Sequence, residues 1–194
     1  MKTGLKIVSF FFCFVIIINI SAGQDDVNLQ KAKDVLYYMN LARTNPGGFA
    51  NDYIFPRIKE SREADECFDE MVRLTPGTEL VWSEKLYRSA FDHAEDIGSN
   101  GLIGHTGSDS SDLAERVERY AKWKGSIAEN IYYGSGSPLE IVILFLIDED
   151  IEDRGHRMNI LNANFQFTGI AVYQHFYYGT VCVIHFAEYI STKK

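Results

Sequence analysis

Five histidines, 27 acidic residues and three cysteines are the groups through which this 194-residue chain could do chemistry. Two of the histidines stand in unusual company. His105 lies in Gly104-His105-Thr106-Gly107-Ser108, a glycine- and serine-rich loop that presents a side chain instead of burying it. His156 lies in Asp153-Arg154-Gly155-His156-Arg157, directly after a strongly apolar segment. Neutral imidazoles suit zinc or copper, and carboxylates can ligate an ion or hold its bound water. The two are 51 residues apart, and neither belongs to an H-x-x-x-H or H-E-x-x-H helix motif. Spacing alone does not make them a metal site. His93, His175 and His185 read as packed or surface histidines.

Among the acids, Glu129 is the odd one. It sits in Ile127-Ala128-Glu129-Asn130-Ile131, a strand-like run in which Ile127, Glu129 and Ile131 share one face. A carboxylate on an apolar face needs a hydrogen-bonding partner, a cation or a proton. The acidic run Asp148-Glu149-Asp150-Ile151-Glu152-Asp153 fails as a calcium loop, because Asp153 stands where the turn needs glycine. It reads as a helix end opposed by the helix dipole, to be offset by Arg154, Arg157 or a metal. Ser108, Ser110 and Ser111 follow His105 without a G-x-S-x-G elbow, and Cys67 and Cys182 have no catalytic context.

These side chains must be positioned by the elements around them. Val27 to Thr44 carries a helical stripe, stopped at Asn45-Pro46, which can open a short second helix. A loose connection over 56–81 holds one short helix near Glu66 to Leu74. Ser83 caps a helix through Leu86, Ala90, Ala94 and Ile97, and Asp112-Leu113-Ala114-Glu115 is a capping box. Ile127 to Tyr133 reads as a strand. Ser137-Pro138-Leu139-Glu140 starts a largely buried helix over Ile141 to Ile147. Gln166 to Gln174 and Thr180 to Tyr189 read as a β-hairpin. Helices first and strands last predict one α+β domain, helices packed on an antiparallel sheet.

Residues 1–23 have the layout of a secretory signal peptide: Lys2 and Lys6, an apolar run from Ile7 to Ile18, and Ser21 and Gly23 before a cut at Gln24. Residues 24–194 are then the secreted domain, with no further membrane span. Cleavage takes the formal charge from −8 to −10, which disfavours nucleic acid and anionic lipid as partners. Two cysteines remain, and whether Cys67 and Cys182 are bridged stays open.

Taken in order, several segments resemble the CAP superfamily (cysteine-rich secretory proteins, antigen 5 and pathogenesis-related proteins; the SCP domain). They are Leu41-Ala42-Arg43-Thr44-Asn45-Pro46, Leu80-Val81-Trp82-Ser83-Glu84-Lys85-Leu86, Gly104-His105-Thr106, Ala128-Glu129-Asn130-Ile131 and Gly155-His156-Arg157-Met158-Asn159-Ile160-Leu161-Asn162. The resemblance implies an α-β-α sandwich with a central cleft. In that cleft His105 and His156 would ligate zinc or another divalent cation, with Glu129 as the first acid and Asp148, a shorter side chain than usual, as the second. It implies a secreted protein of a mostly non-enzymatic family, several members of which bind sterols or other lipids, so a lipid or another extracellular ligand is expected, and a monomer. The alternative is a metal-dependent hydrolase with Glu129 as general base. A third reading binds lipid without metal through Tyr173, Phe176, Tyr177 and Tyr178, against a packing role for those rings. The missing disulfides and C-terminal extension point to the microbial or protist type.

Overall fold

The computed structural model describes residues 5–192, with side chains from Gly23 to Ser191. Of the expected leader, residues 1–4 lie outside the described residues. The elements run α1 (Leu5–Thr44), α2 (Pro46–Phe49), α3 (Arg62–Met71), β1 (Val81–Trp82), α4 (Glu84–Asn100), α5 (Leu113–Tyr120), β2 (Ala121–Tyr133), α6 (Pro138–Ile147), α7 (Gly155–Leu161), β3 (Phe167–His175) and β4 (Gly179–Thr192). A π turn over Ala50–Ile54 and a 3-10 turn over Phe55–Arg57 follow α2. Among the described residues no helix is long and apolar enough to cross a membrane.

Helix starts follow local chemistry. Asn45 accepts from Gly48 N, Ser83 from Leu86 N and Ser137 from Glu140 N, while Asp112 and Glu115 complete a capping box. Helix α3 begins four residues before its predicted start at Glu66, because Ser61 accepts from Ala64 N and caps it there. Strand β2 begins at Ala121, six residues earlier than the sequence pattern indicates.

The sheet order is β1-β3-β4-β2. It is antiparallel except at the two-residue β1, which pairs with β3 in parallel. Strand alternation divides its side chains between two helical layers. Ile131, Ala171, Val181 and Val183 meet Ala90, Ala94 and Ile97 of α4, and Ala187 meets Leu86 of α4 and Val117 of α5. Ile170, Val172, Cys182, Ile184 and Phe186 pack on the other face with Val35, Met39, Ile141, Leu146 and Ile160. The result is the α-β-α sandwich. Gly169 lets α4 close onto β3, since a Cβ there would lie 2.0 Å from the Tyr87 amide nitrogen. Cys67 and Cys182 are buried free thiols, so no disulfide joins them.

Strand β2 pairs with β4 through an irregularity between Lys124 and Ile127, where Gly125 takes φ +82° beside Glu188. The extra residue sets the register beyond it, and there Glu129 falls opposite His185.

Helices α6 and α7 cap one another. The Asp148 carboxylate accepts from the backbone N–H of His156 (2.9 Å) and Arg157 (3.3 Å) at the start of α7. Arg157 returns its guanidinium to the carbonyls of Leu146 (2.6 Å) and Ile147 (3.0 Å) at the end of α6. Arg157 also donates to Glu66 and Glu70 of α3, and Arg154 donates to the Asp148 carbonyl. These are the cations expected to offset the acidic helix end. Arg43, equally buried, donates to Ile160 O, Asn162 O and Phe165 O and so satisfies the other end of α7. Replacing Arg157 with lysine keeps the charge and removes the fork. The unfolding free energy from urea denaturation is expected to fall by roughly 2–4 kcal/mol, and an unchanged midpoint would contradict this capping role.

Candidate functional site

The sequence-predicted residues form two pairs. His105 Nδ1 lies 2.7 Å from Glu129 Oε1. His156 Nδ1 lies 2.6 Å from Asp148 Oδ1. In both pairs the carboxylate is sequestered and the imidazole reaches outward: side-chain exposure is 3% for Glu129 against 63% for His105, and 2% for Asp148 against 26% for His156.

Each partner is held from behind. Arg116 on the inner face of α5 donates Nη2 to Glu129 Oε2 (3.0 Å) and to His105 O (2.9 Å), and Nη1 to Ser111 O (2.7 Å). One guanidinium thereby fixes both the acid and the loop carrying its histidine. His185 Nε2 is 2.7 Å from Glu129 Oε2, and His93 Nε2 is 4.0 Å from the same oxygen. Burial alone would raise the Glu129 carboxyl. Hydrogen bonds from His105 and His185, with the charges of His185 and Arg116, outweigh it and hold the group well below the usual carboxylate range. The hydrogen bond to Glu129 raises His105 above the ordinary histidine range, against a smaller opposing effect of burial. Burial lowers His93.

In the second pair, Asp148 closes α6 in a left-handed conformation, φ 55°, which turns its carboxylate toward α7. The His156 ring lies against Phe145, centroids 5.0 Å apart. Asn130 joins the halves: its Nδ2 donates to His156 O (3.1 Å) and its Oδ1 accepts from Asn159 (2.8 Å). Glu129 and Asn130 are neighbours on β2 and so address opposite faces of the sheet.

An ionised carboxylate only accepts hydrogen bonds, so each Nδ1 donates and each Nε2 is left for another partner. Carboxylates in this position orient imidazoles for metal ligation and raise their basicity. Both Glu129 oxygens already carry partners, His105 on Oε1 and Arg116 and His185 on Oε2. Among the described residues, no group of three or more His, Cys, Asp or Glu side chains is gathered around one metal position.

Sequence reasoning passed over Arg116 and Asn130, and it gave His185 only a packed or surface place. Arg116 stands on the stripe of Leu113, Val117 and Tyr120, and a charge on an apolar stripe was the available signal. His185 shares the inward face of β4 with Val181, Val183 and Ala187, so a strand-parity argument marks it too. His93 and His185 are packed as expected, but around a charge. His175 is also buried, bonded through Nε2 to Leu102 O. The serine and thiol readings find no machinery: Ser108 Oγ is bonded to Asp96, and burial pushes both Cys67 and Cys182 up to about 12. Tyr173 packs beside α4, whereas Phe176 and Tyr177 lie outside the core, their rings packed on one another at the β3–β4 turn with centroids 4.9 Å apart.

Glu129→Gln removes the charge that Arg116 and His185 surround. A loss on the order of 3 kcal/mol is expected at neutral pH. Because the folded-state pKa of Glu129 is depressed, its contribution is full above the usual carboxylate range. The gap between wild type and variant should therefore shrink as pH falls below that range. Denaturation curves over acidic pH check this, and a pH-independent gap would count against an ionised Glu129.

The family model "CAP: Cysteine-rich secretory protein family" matches residues 36–186. An outer surface protein from Borrelia burgdorferi is 18% identical, with a TM-score of 0.50, over 71% of this chain and 92% of that one. An extracellular protein containing an SCP domain from Bacillus anthracis is 23% identical, with a TM-score of 0.47, over 57% of this chain and 34% of that one. A cysteine-rich secretory protein from Staphylococcus aureus is 16% identical, with a TM-score of 0.45, over 66% of this chain and 38% of that one. The matched regions thus span about a third of the Bacillus and Staphylococcus chains. No curated protein matches the chain. With the family match running from the first helix to the last strand, the chain belongs to the CAP family, and His105, Glu129, Asp148 and His156 fall within the matched region.

Proposed function

We propose that this chain is an extracellular, non-enzymatic CAP-domain protein that binds a divalent cation, zinc foremost, through Nε2 of His105 and His156. One observation carries the reading: both rings have Nδ1 committed to a buried carboxylate, which leaves Nε2 facing outward. Zinc is the first choice because neutral imidazole suits it and no soft sulfur ligand stands in either pair. With only two imidazoles contributed by the protein, most of the ion's coordination falls to solvent or to an exogenous ligand. Export is supported by the leader-like N-terminus and by the outer-surface character of the similar Borrelia protein.

The non-enzymatic part rests on Glu129. A general base works best with a pKa near the operating pH. Glu129 is held far below that, with both oxygens engaged, which weighs against the metal-dependent hydrolase reading.

Zinc titration by calorimetry tests the proposal. Saturable binding is expected, weakened about tenfold or more by His105→Ala or by His156→Ala, and about 10- to 100-fold by Asp148→Asn through its hold on His156. Affinity should rise with pH through the elevated His105 range, because the proton on Nε2 must leave before the metal binds. No heat from wild type, or a double histidine variant that binds unchanged, would overturn the reading.

A further inference from the structure

Strand β2 is an outer strand of the sheet, so half of its main-chain N–H and C=O groups point away from β4. Which half follows from two hydrogen bonds. Gly134 N donates to Thr180 O (2.9 Å), so the residues of β4 that turn toward β2 are Thr180, Cys182, Ile184 and Phe186. Across the sheet, Thr168 O accepts from Ser83 N (2.7 Å). Thr168 therefore turns away from β4, and its partner Phe186 again turns toward β2. Both bonds give the same parity. Ala128, Asn130 and Tyr132 bond to β4, while Ile127, Glu129 and Ile131 present their N–H and C=O groups at the free edge. Among the described residues, no main-chain group of a loop, turn or cap bonds to those six.

Proteins guard a bare edge with lysines, bulges and prolines. The first half of β2 carries such guards: Lys122, Lys124 and the irregularity at Gly125. From Ile127 to Tyr133 there is no lysine, arginine, proline or bulge, and the one charge, Glu129, is already paired inside the fold. This second half is recessed instead. Glu129 is 8% exposed, Ile131 9% and Asn130 0%. The Glu129 side chain is only 3% exposed, so what can be reached there is largely main chain. The segment carrying His105 is bonded to this dipeptide on one face and the segment carrying His156 on the other.

An edge of alternating donors and acceptors is complementary to another extended backbone. A second copy of this chain does not supply one. Its β2 is recessed by the same flanking segments, and its other edge strand, β1, is two residues long. A single extended peptide brings no such flanks.

We infer that the free edge of β2 from Ile127 to Ile131 docks an extended peptide segment, which joins the four-stranded sheet as a further strand between the His105 and His156 segments. Main-chain bonds supply the affinity, so many sequences are accepted. Alternate side chains of the bound peptide point to the His105 side and the His156 side. This goes beyond the metal reading and requires no ion.

NMR on the 15N-labelled protein, collected from the medium of a secreting host and kept in chelator, tests it. In the free protein the amides of Ile127, Glu129 and Ile131 should exchange with solvent faster than those of Ala128, Asn130 and Tyr132. The probe is the strongest binder from a library of random heptapeptides, resynthesised with both ends capped. When it binds, exchange at the three fast amides should slow about tenfold or more. N-methylation of every second peptide nitrogen should weaken binding about tenfold or more in one phase and leave it nearly unchanged in the other, because only one set faces the edge. No peptide enriched from the library, protection confined to other residues, or equal effects of both methylation phases would overturn the proposal. So would slow exchange of the three amides in the free protein, whether constant, which marks an edge covered from within, or growing with concentration, which marks self-pairing.

Discussion

The site depends on two consecutive residues of one outer strand. On β2, Glu129 faces the layer of α4 and α5, and Asn130 faces the layer of α6 and α7. Glu129 holds the side chain of His105 while Asn130 holds the backbone of His156. Strand geometry alone makes neighbouring side chains diverge in this way. Because β2 is the last strand of the sheet, no further strand covers its outer edge. Two histidines 51 residues apart are thus tied to a single dipeptide.

That arrangement requires a buried negative charge, and much of the surrounding structure exists to hold it. An isolated carboxylate at the depth of Glu129 would be strongly destabilising. Arg116, His185 and His105 convert it into a fixed acceptor, and Arg116 gives two further hydrogen bonds to the loop that delivers His105. The second pair reaches the same end by other means. There Asp148 is held by the backbone amides of a helix start, and Arg157 and Arg154 satisfy the carbonyls next to it. In both cases rigidity is built below and one imidazole nitrogen is left above.

Much of this was legible in the sequence, for local reasons. Caps at Asn45, Ser83, Asp112 and Ser137 act within three residues of themselves, so four helix starts could be placed. The apolar neighbours Ile127 and Ile131 announced that Glu129 is buried. What escaped notice involves partners distant in sequence. Arg116 and His185 meet Glu129 only after α5 and β4 have docked, and the register pairing Glu129 with His185 depends on the irregularity at Gly125. The early start of α3 rests on Ser61, a local signal hidden in a charged stretch. The exposure of Phe176 and Tyr177 escaped because a hairpin sequence does not tell which side of its turn meets the core.

The central claim is that buried carboxylates fix both site imidazoles with the proton on Nδ1 and Nε2 unprotonated. Long-range proton–nitrogen NMR of the histidine rings, recorded above the elevated His105 range, reads this directly. His105 and His156 should both show the Nδ1–H tautomer, and zinc should move the Nε2 signals of those two rings. Nε2–H tautomers at both positions, or fast exchange between the two forms, would contradict the account.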